Sequence, residues 1–101
     1  MSRQSQLRSI AYHREIAQHL NAELMALALA NLIRAEMRDT THQAYIARWR
    51  QLLAGPREVL IAALQADDEV MRDLRQCTPF AGALTPQRRW QLWASVDPAQ
   101  P

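Results

Sequence analysis

The sequence has one cysteine, two glycines, one phenylalanine and no lysine among its 101 residues. Because Cys77 stands alone, the chain cannot form an internal disulfide, which favours a reducing compartment. Neither cysteine nor histidine recurs at the spacing of metal ligands, so we expect no metal and no other cofactor. The longest apolar run, residues 24–30, is about a third of the ~20 residues that a membrane span needs. No apolar stretch follows Arg3 and Arg8 as it would in a secretion signal, so we expect a cytoplasmic protein without a membrane span.

All twelve basic residues are arginine, and ten acidic residues bring the net charge to only +2. Arginine-only usage fits the codon bias of a GC-rich genome. It also fits the recognition of carboxylates or phosphates, because the planar guanidinium pairs with both in a bidentate way. A net charge this small does not favour nucleic acid as the partner.

Hydrophobic residues make up 49% of the chain, which is typical of a globular domain. No segment alternates apolar and polar residues with the period of a strand, whereas apolar residues recur at helical spacing. The sequence therefore predicts an all-α fold, a compact single-domain bundle of five or six short helices over residues 1–96. Residues 97–101, with two prolines, are predicted to form a disordered tail.

Capping residues and helix breakers give the helix boundaries. The predicted helices cover residues 5–20, 22–38, 41–54, 56–66 and 68–76, and a sixth helix begins at Pro86. The candidate N-caps are Ser5, Asn21, Thr85 and either Asp67 or Asp68.

Two further breaks are indicated, and one boundary stays open. Gly55 and Pro56 separate the third and fourth helices, because glycine is frequent just after a helix and proline at the start of one. Residues 39–41, Asp39-Thr40-Thr41, mark the other break. Since no glycine or proline lies near Asn21, one continuous helix across this position is an alternative.

Apolar residues at helical spacing identify the helix faces that we expect to point into the core. They are Ile10, Ile16, Ala17 and Leu20 in the first helix, Tyr45, Trp49, Leu52 and Leu53 in the third, Val59, Leu60, Ala63 and Leu64 in the fourth, and Val70, Met71 and Leu74 in the fifth. His13 lies in the middle of the first apolar sector. We expect its ring to be buried and hydrogen-bonded, since a buried imidazole without a partner is unfavourable. The alternative is a catalytic or ligand-binding role.

The sixth helix carries residues that folding alone does not explain. Arg88 and Arg89 fall in its first turns, where the helix dipole disfavours cations. We expect them either to bind an acidic partner or a phosphate backbone, or to pair with acids of the preceding helix, namely Asp67, Asp68, Glu69 or Asp73. Trp90 and Trp93 share one face of the same helix. Tryptophan is frequent at interface hot spots, although packing in the core would also account for both.

The second helix offers another candidate surface. Residues 24–30 are apolar almost all round, which indicates a helix that is central to the fold or covered by a partner. Leu24 and Leu27 are therefore further partner-binding candidates.

The connection between the fifth and sixth helices is dense in proline, glycine and aromatic residues, so we expect it to be tightly held. Its residues resemble a motif of the form RQ-S-x-PFAG-x-L-[ST]-P-x-x-RW, here Arg75-Gln76, Pro79-Phe80-Ala81-Gly82, Leu84-Thr85-Pro86 and Arg89-Trp90. Residues 13–20 and 49–56 extend the resemblance to about residues 8–95. The motif is associated with small bacterial helical regions of helix-turn-helix antitoxin or regulator proteins.

The resemblance implies recognition rather than catalysis. In that group the helical region follows a DNA-binding part, for which there is no room before Ser5, so we expect the partner-binding or dimerising part. The leading hypothesis is a non-enzymatic protein-interaction module whose partner is a protein, such as a toxin encoded by an adjacent gene, or a second copy of the chain. The alternative is a small nucleic-acid-binding transcriptional regulator. An enzyme built around His13 is a third hypothesis, and no nucleophile with a base beside it supports it.

Overall fold

Six α-helices account for most of residues 2–38 and 42–96, the parts of the chain that the computed structural model describes. They are α1 (Arg3–Gln18), α2 (Ala22–Arg38), α3 (Gln43–Ala54), α4 (Arg57–Gln65), α5 (Glu69–Gln76) and α6 (Pro86–Val96). The same residues contain no strand, which confirms the predicted all-α class. The predicted tail, residues 97–101, and the predicted break at residues 39–41 lie outside the described residues.

Three of the predicted N-caps are confirmed. They are Asn21, Asp68 and Thr85. In each of these residues the side-chain oxygen accepts a hydrogen bond of 2.8 to 3.1 Å from the backbone amide three residues further along the chain. Such a bond satisfies one of the amides that the first turn of a helix leaves without a partner. Asn21 thereby separates α1 from α2, and the alternative of one continuous helix is wrong.

The cap predicted at Ser5 is also wrong. The hydroxyl of Ser2 accepts a hydrogen bond from the amide of Ser5 at 3.1 Å, and α1 begins at Arg3. The residues after both serines are compatible with a helix. α1 can therefore extend towards the N-terminus as far as Ser2, which caps it.

The boundary between α3 and α4 is confirmed, with proline displaced by one position. Pro56 is the N-cap of α4 and not its first helical residue. Gly55 has a φ of −87°, so the turn does not need the left-handed conformation. A Cβ at this position would lie only 3.1 Å from the carbonyl oxygen of Gln51, and glycine therefore fits for reasons of space.

α1 packs against α4 and α6. α2 packs against α3, which in turn contacts α4, and α4 contacts α5. The resulting bundle is a single domain, as predicted. No helix in this part of the chain combines the length and the apolar character needed to span a bilayer.

Trp49 and Phe80 are the largest side chains of the core and are almost fully buried. Their rings meet edge to face with centroids 6.2 Å apart, and Nε1 of Trp49 donates to the carbonyl of Leu74 at 2.9 Å. The indole thus fills space between α3 and the end of α5 while its only polar atom is satisfied.

Three residues that were predicted to point into the core are exposed instead: Tyr45, Val59 and Val70, at 37%, 50% and 60%. Val59 precedes the buried Leu60, and Val70 precedes the buried Met71. One step along a helix rotates the side chain by about 100°, which turns each valine from the edge of the apolar face into solvent. Tyr45 lies in the first turn of α3, where it stacks on His42.

The connection between α5 and α6, residues 77–85, is held by side chains of two other helices, as its composition predicted. The hydroxyl of Tyr12 in α1 donates to the carbonyl of Phe80 at 2.7 Å. The side-chain amide of Asn31 in α2 donates to the carbonyls of Pro79 and Ala81 at 2.8 and 3.1 Å. Gly82 turns the chain with a φ of +82°, a conformation that glycine adopts without strain.

Candidate functional site

Arg88 holds α6 against α1. Its Nε and Nη2 atoms donate to the two carboxylate oxygens of Glu15 at 2.7 and 3.1 Å, which is a bidentate pair. Glu15 is nearly covered, and its hydrogen bond to Arg88 holds the pKa of this carboxyl below its usual range. The predicted pairing with acids of the preceding helix is therefore wrong for Arg88, because α6 packs against α1, the helix that carries Glu15.

Arg89 points to a different neighbour from Arg88. Its Cζ lies 5.9 Å from the centroid of the Trp93 ring, and Cζ of Arg8 in α1 lies 5.3 Å from the same ring. These are cation–π distances. One half-buried indole thus positions two guanidiniums, one from each of the two packed helices.

Trp90 lies at the surface with 68% of its area exposed. It touches Trp93 edge to face, with ring centroids 5.8 Å apart. None of the residues of α6 is buried, so both predicted tryptophan candidates lie outside the core rather than in it.

The two leucine candidates of α2 are less exposed than other large apolar residues of the same helix. Leu24 packs against the core, and Leu27 is half-buried. The apolar surface of α2 lies elsewhere, at positions spaced by four residues. Leu29, Ile33 and Met37 are 48%, 49% and 83% exposed, and Met25 precedes them at the same spacing. We call these four residues the α2 stripe.

The α2 stripe borders a groove between α2 and α3. Met25, Ala26 and Leu29 line it from α2, and Leu53 and Ala54 from α3, around a volume of about 470 Å³. An ion pair between Glu36 of α2 and Arg50 of α3 joins the two helices beside it. The all-round apolar composition of residues 24–30 indicated an unusual helix, but only the packing of α3 decides which apolar residues stay uncovered.

His13 is 2% exposed and fully hydrogen-bonded, as expected from its place among apolar residues. Nδ1 lies 2.7 Å from the carbonyl oxygen of Ser9, and Nε2 lies 2.8 Å from Oγ1 of Thr78. A carbonyl can only accept, so Nδ1 carries the proton and Nε2 accepts from the threonine hydroxyl. Burial lowers the pKa of His13 to about 4, and the ring is neutral at physiological pH.

Arg75 was not predicted as a site residue, yet it is the most unusual charge in the molecule. It is only 4% exposed, and Nη1 donates to the carbonyl of Leu64 at 3.3 Å. Burial lowers its pKa, which indicates that the surroundings disfavour the charge. Its position four residues after Met71 was the available signal, because residues at this spacing share a helix face.

Arg75 also lines a cleft between α1, the 77–85 connection and α6. The cleft has a volume of about 390 Å³, and its basic side chains come from Arg8, Arg75 and Arg89. The floor includes His13 and Thr78, and Trp93 forms one wall. We call this the arginine cleft. It gathers two predicted site residues, Arg89 and Trp93, with two that were not predicted, Arg8 and Arg75.

These arrangements are suited to binding. Both ring nitrogens of His13 are already used, so this side chain would have to break a hydrogen bond to accept a proton from a substrate. Within residues 2–38 and 42–96, no three His, Cys, Asp or Glu side chains lie together as the ligands of a metal ion would.

Compared with known proteins, the chain matches no protein-family model, no curated protein and no solved structure.

Proposed function

We propose that the chain is a non-enzymatic protein-interaction module, the partner-binding part of an antitoxin-like or regulatory protein that acts in the cytoplasm. The observation that carries the proposal is the α2 stripe, in which three large apolar side chains in consecutive turns are exposed by 48%, 49% and 83%. A contiguous apolar surface of this kind is typical of an interface. The resemblance of residues 75–90 to antitoxin-associated regions agrees with it.

The partner that fits the stripe is an amphipathic helix of another protein. Exposed side chains at a spacing of four residues, next to the groove between α2 and α3, provide the anchors and the depression that helix-in-groove binding uses. A standard interface buries about 800 Å² on each side, which a domain of this size can provide. The Glu36–Arg50 ion pair gives this surface a charged rim.

The test is complex formation with the product of the adjacent gene, measured by co-purification and calorimetry. Ile33→Glu should weaken the complex about tenfold or more, because binding would bury an unpaired carboxylate. Val59→Glu is the matched control, since Val59 is an equally exposed apolar residue on a different helix, α4. A chain that stays monomeric and forms no complex, or an equal loss in both variants, would contradict the proposal.

Light scattering on the purified chain tests whether a second copy of the chain, rather than a helix of another protein, occupies the stripe. If the chain is a dimer and Ile33→Glu dissociates it while Val59→Glu does not, the stripe binds a second copy of the chain and not a partner's helix.

The alternative function, a small nucleic-acid-binding regulator, has less support. Several arginines are already paired with carboxylates and would have to leave them to reach a phosphate backbone: Arg3, Arg50, Arg72 and Arg88. Gel shifts at low salt would favour this alternative if the affinity fell steeply as salt was added.

A further inference from the structure

The arginine cleft has the size and the charge of a small-molecule site. Its volume of about 390 Å³ lies in the range of ligand pockets. The three arginines that line it come from three different helices, α1, α5 and α6. No acidic residue is among the described residues that line it. The charged side chains of its described lining are therefore all positive.

Two guanidinium nitrogens of the cleft lack an acceptor. Nη2 of Arg75 and Nε of Arg89 are both buried, and neither has a hydrogen-bond partner among the described residues. Buried N–H groups are nearly always hydrogen-bonded, and leaving one without an acceptor is more unfavourable when the group is charged. Arg75 is especially constrained, because it is more than nine-tenths buried and only its other terminal nitrogen is bonded.

The rest of the cleft restricts how the guanidiniums can move. The ring of Trp93 lies against the guanidiniums of Arg8 and Arg89, which restricts their movement. His13 and Thr78 use their hydrogen-bonding atoms on each other and on the backbone, so the floor supplies no competing acceptor for the arginines. A site whose donors are positioned in advance loses less entropy when it binds.

We propose that the arginine cleft binds the phosphate group of a small organic phosphate monoester. A carboxylate has two oxygens in one plane, which a single bidentate arginine satisfies. A phosphate monoester has three terminal oxygens, at three corners of a tetrahedron around phosphorus, which together carry about two negative charges near neutral pH. This arrangement suits donors that come from three helices. The side chains of Tyr12 and Trp93 provide aromatic walls for the organic part of the ligand. This cleft is formed by different helices from the α2 stripe, so the two proposals are independent.

The experiment is calorimetric titration of the purified chain with phenyl phosphate, inorganic phosphate and benzoate at low chloride and about pH 7.5, where the phosphates are mainly dianions. Phenyl phosphate should bind, inorganic phosphate should bind more weakly because it lacks the ring, and benzoate should bind at least about tenfold more weakly than phenyl phosphate. Arg89→Gln should lower the affinity for phenyl phosphate about tenfold or more, since it removes a charged hydrogen-bond donor.

Arg48→Gln is the matched control. It removes the same charge from an exposed position of α3, where Arg48 donates to Gln51 and does not line the cleft, so the affinity should be unchanged. Arg75→Gln should abolish binding, and if that variant fails to fold, Arg89→Gln decides.

Three results would overturn the proposal. One is the absence of binding by either phosphate at roughly 10 mM. Another is an equal loss in Arg48→Gln and Arg89→Gln, which would mean that only the overall charge matters. The third is benzoate binding as tightly as phenyl phosphate, which would make the cleft a carboxylate site.

Discussion

The buried His13 should make the stability of the fold depend on pH in a defined window. In the folded chain the ring is neutral and its pKa is about 4, chiefly because burial disfavours the charged form. The positive charge of Arg75 lowers the pKa further, whereas the hydrogen bond to the carbonyl of Ser9 opposes both effects. In the unfolded chain the same ring is exposed and has a pKa of about 6.5.

The sign follows from these two values. Between about pH 6.5 and pH 4 the unfolded chain binds a proton at His13 that the folded chain does not, so lowering the pH favours unfolding. The contribution of the neutral His13 ring to the free energy of unfolding is complete above about pH 6.5, decreases between about pH 6.5 and pH 4, and is lost below about pH 4. The window is about 2.5 pH units wide, and at about 1.4 kcal/mol for each unit the loss amounts to about 3.5 kcal/mol.

The assay is urea unfolding followed by circular dichroism at pH values between about 4 and 7.5, compared with His13→Gln. Glutamine does not titrate and can still accept a hydrogen bond from Thr78, so the variant should be less stable at neutral pH but should lose much less stability on acidification. His19→Gln is the control, because His19 is exposed and its replacement should leave the pH dependence nearly intact. If His13→Gln retains the full loss of stability between pH 6.5 and pH 4, the buried imidazole is not its source.

Two further substitutions test the packing around the 77–85 connection, each by urea unfolding. Trp49→Phe should lower the free energy of unfolding by about 2–4 kcal/mol, because it leaves a cavity and removes the donor to the carbonyl of Leu74. A loss below about 1 kcal/mol would contradict the central place of this indole. Gly82→Ala should lower the free energy of unfolding by about 1–2 kcal/mol, because alanine disfavours the positive φ. A Cβ at this position would meet no atom within 4 Å, so no steric clash adds to this loss. An unchanged free energy of unfolding would show that the turn relaxes.

The features that could be predicted from the sequence are those set by neighbouring residues. Asn21, Asp68 and Thr85 cap helices through hydrogen bonds that reach only three residues, so the local sequence contains both partners. The same holds for the boundary at Gly55. The error at Ser5 is of the same local kind, since Ser2 lies at the alternative capping position.

The features that could not be predicted depend on how distant helices cross. Arg88 pairs with Glu15, 73 residues away, and nothing near either residue indicates this contact. The burial of Arg75 and the exposure of Ile33 likewise follow from which helix covers which face. The sequence therefore located α6 as a candidate region and named Arg89 and Trp93, but it could not bring them together with Arg8 and Arg75.

Burial and, to a smaller extent, the charge of Arg75 keep His13 neutral, and the two residues together indicate what the cleft requires. Both are buried next to the same cleft, and a protonated His13 would place a second positive charge beside a guanidinium whose Nη2 has no acceptor among the described residues. The neutral imidazole is thus the form compatible with Arg75 when the cleft has no anion in it. An anion that binds only the folded chain would relieve the unsatisfied donors and stabilise the fold, by about 2.7 kcal/mol at a hundredfold excess over its Kd.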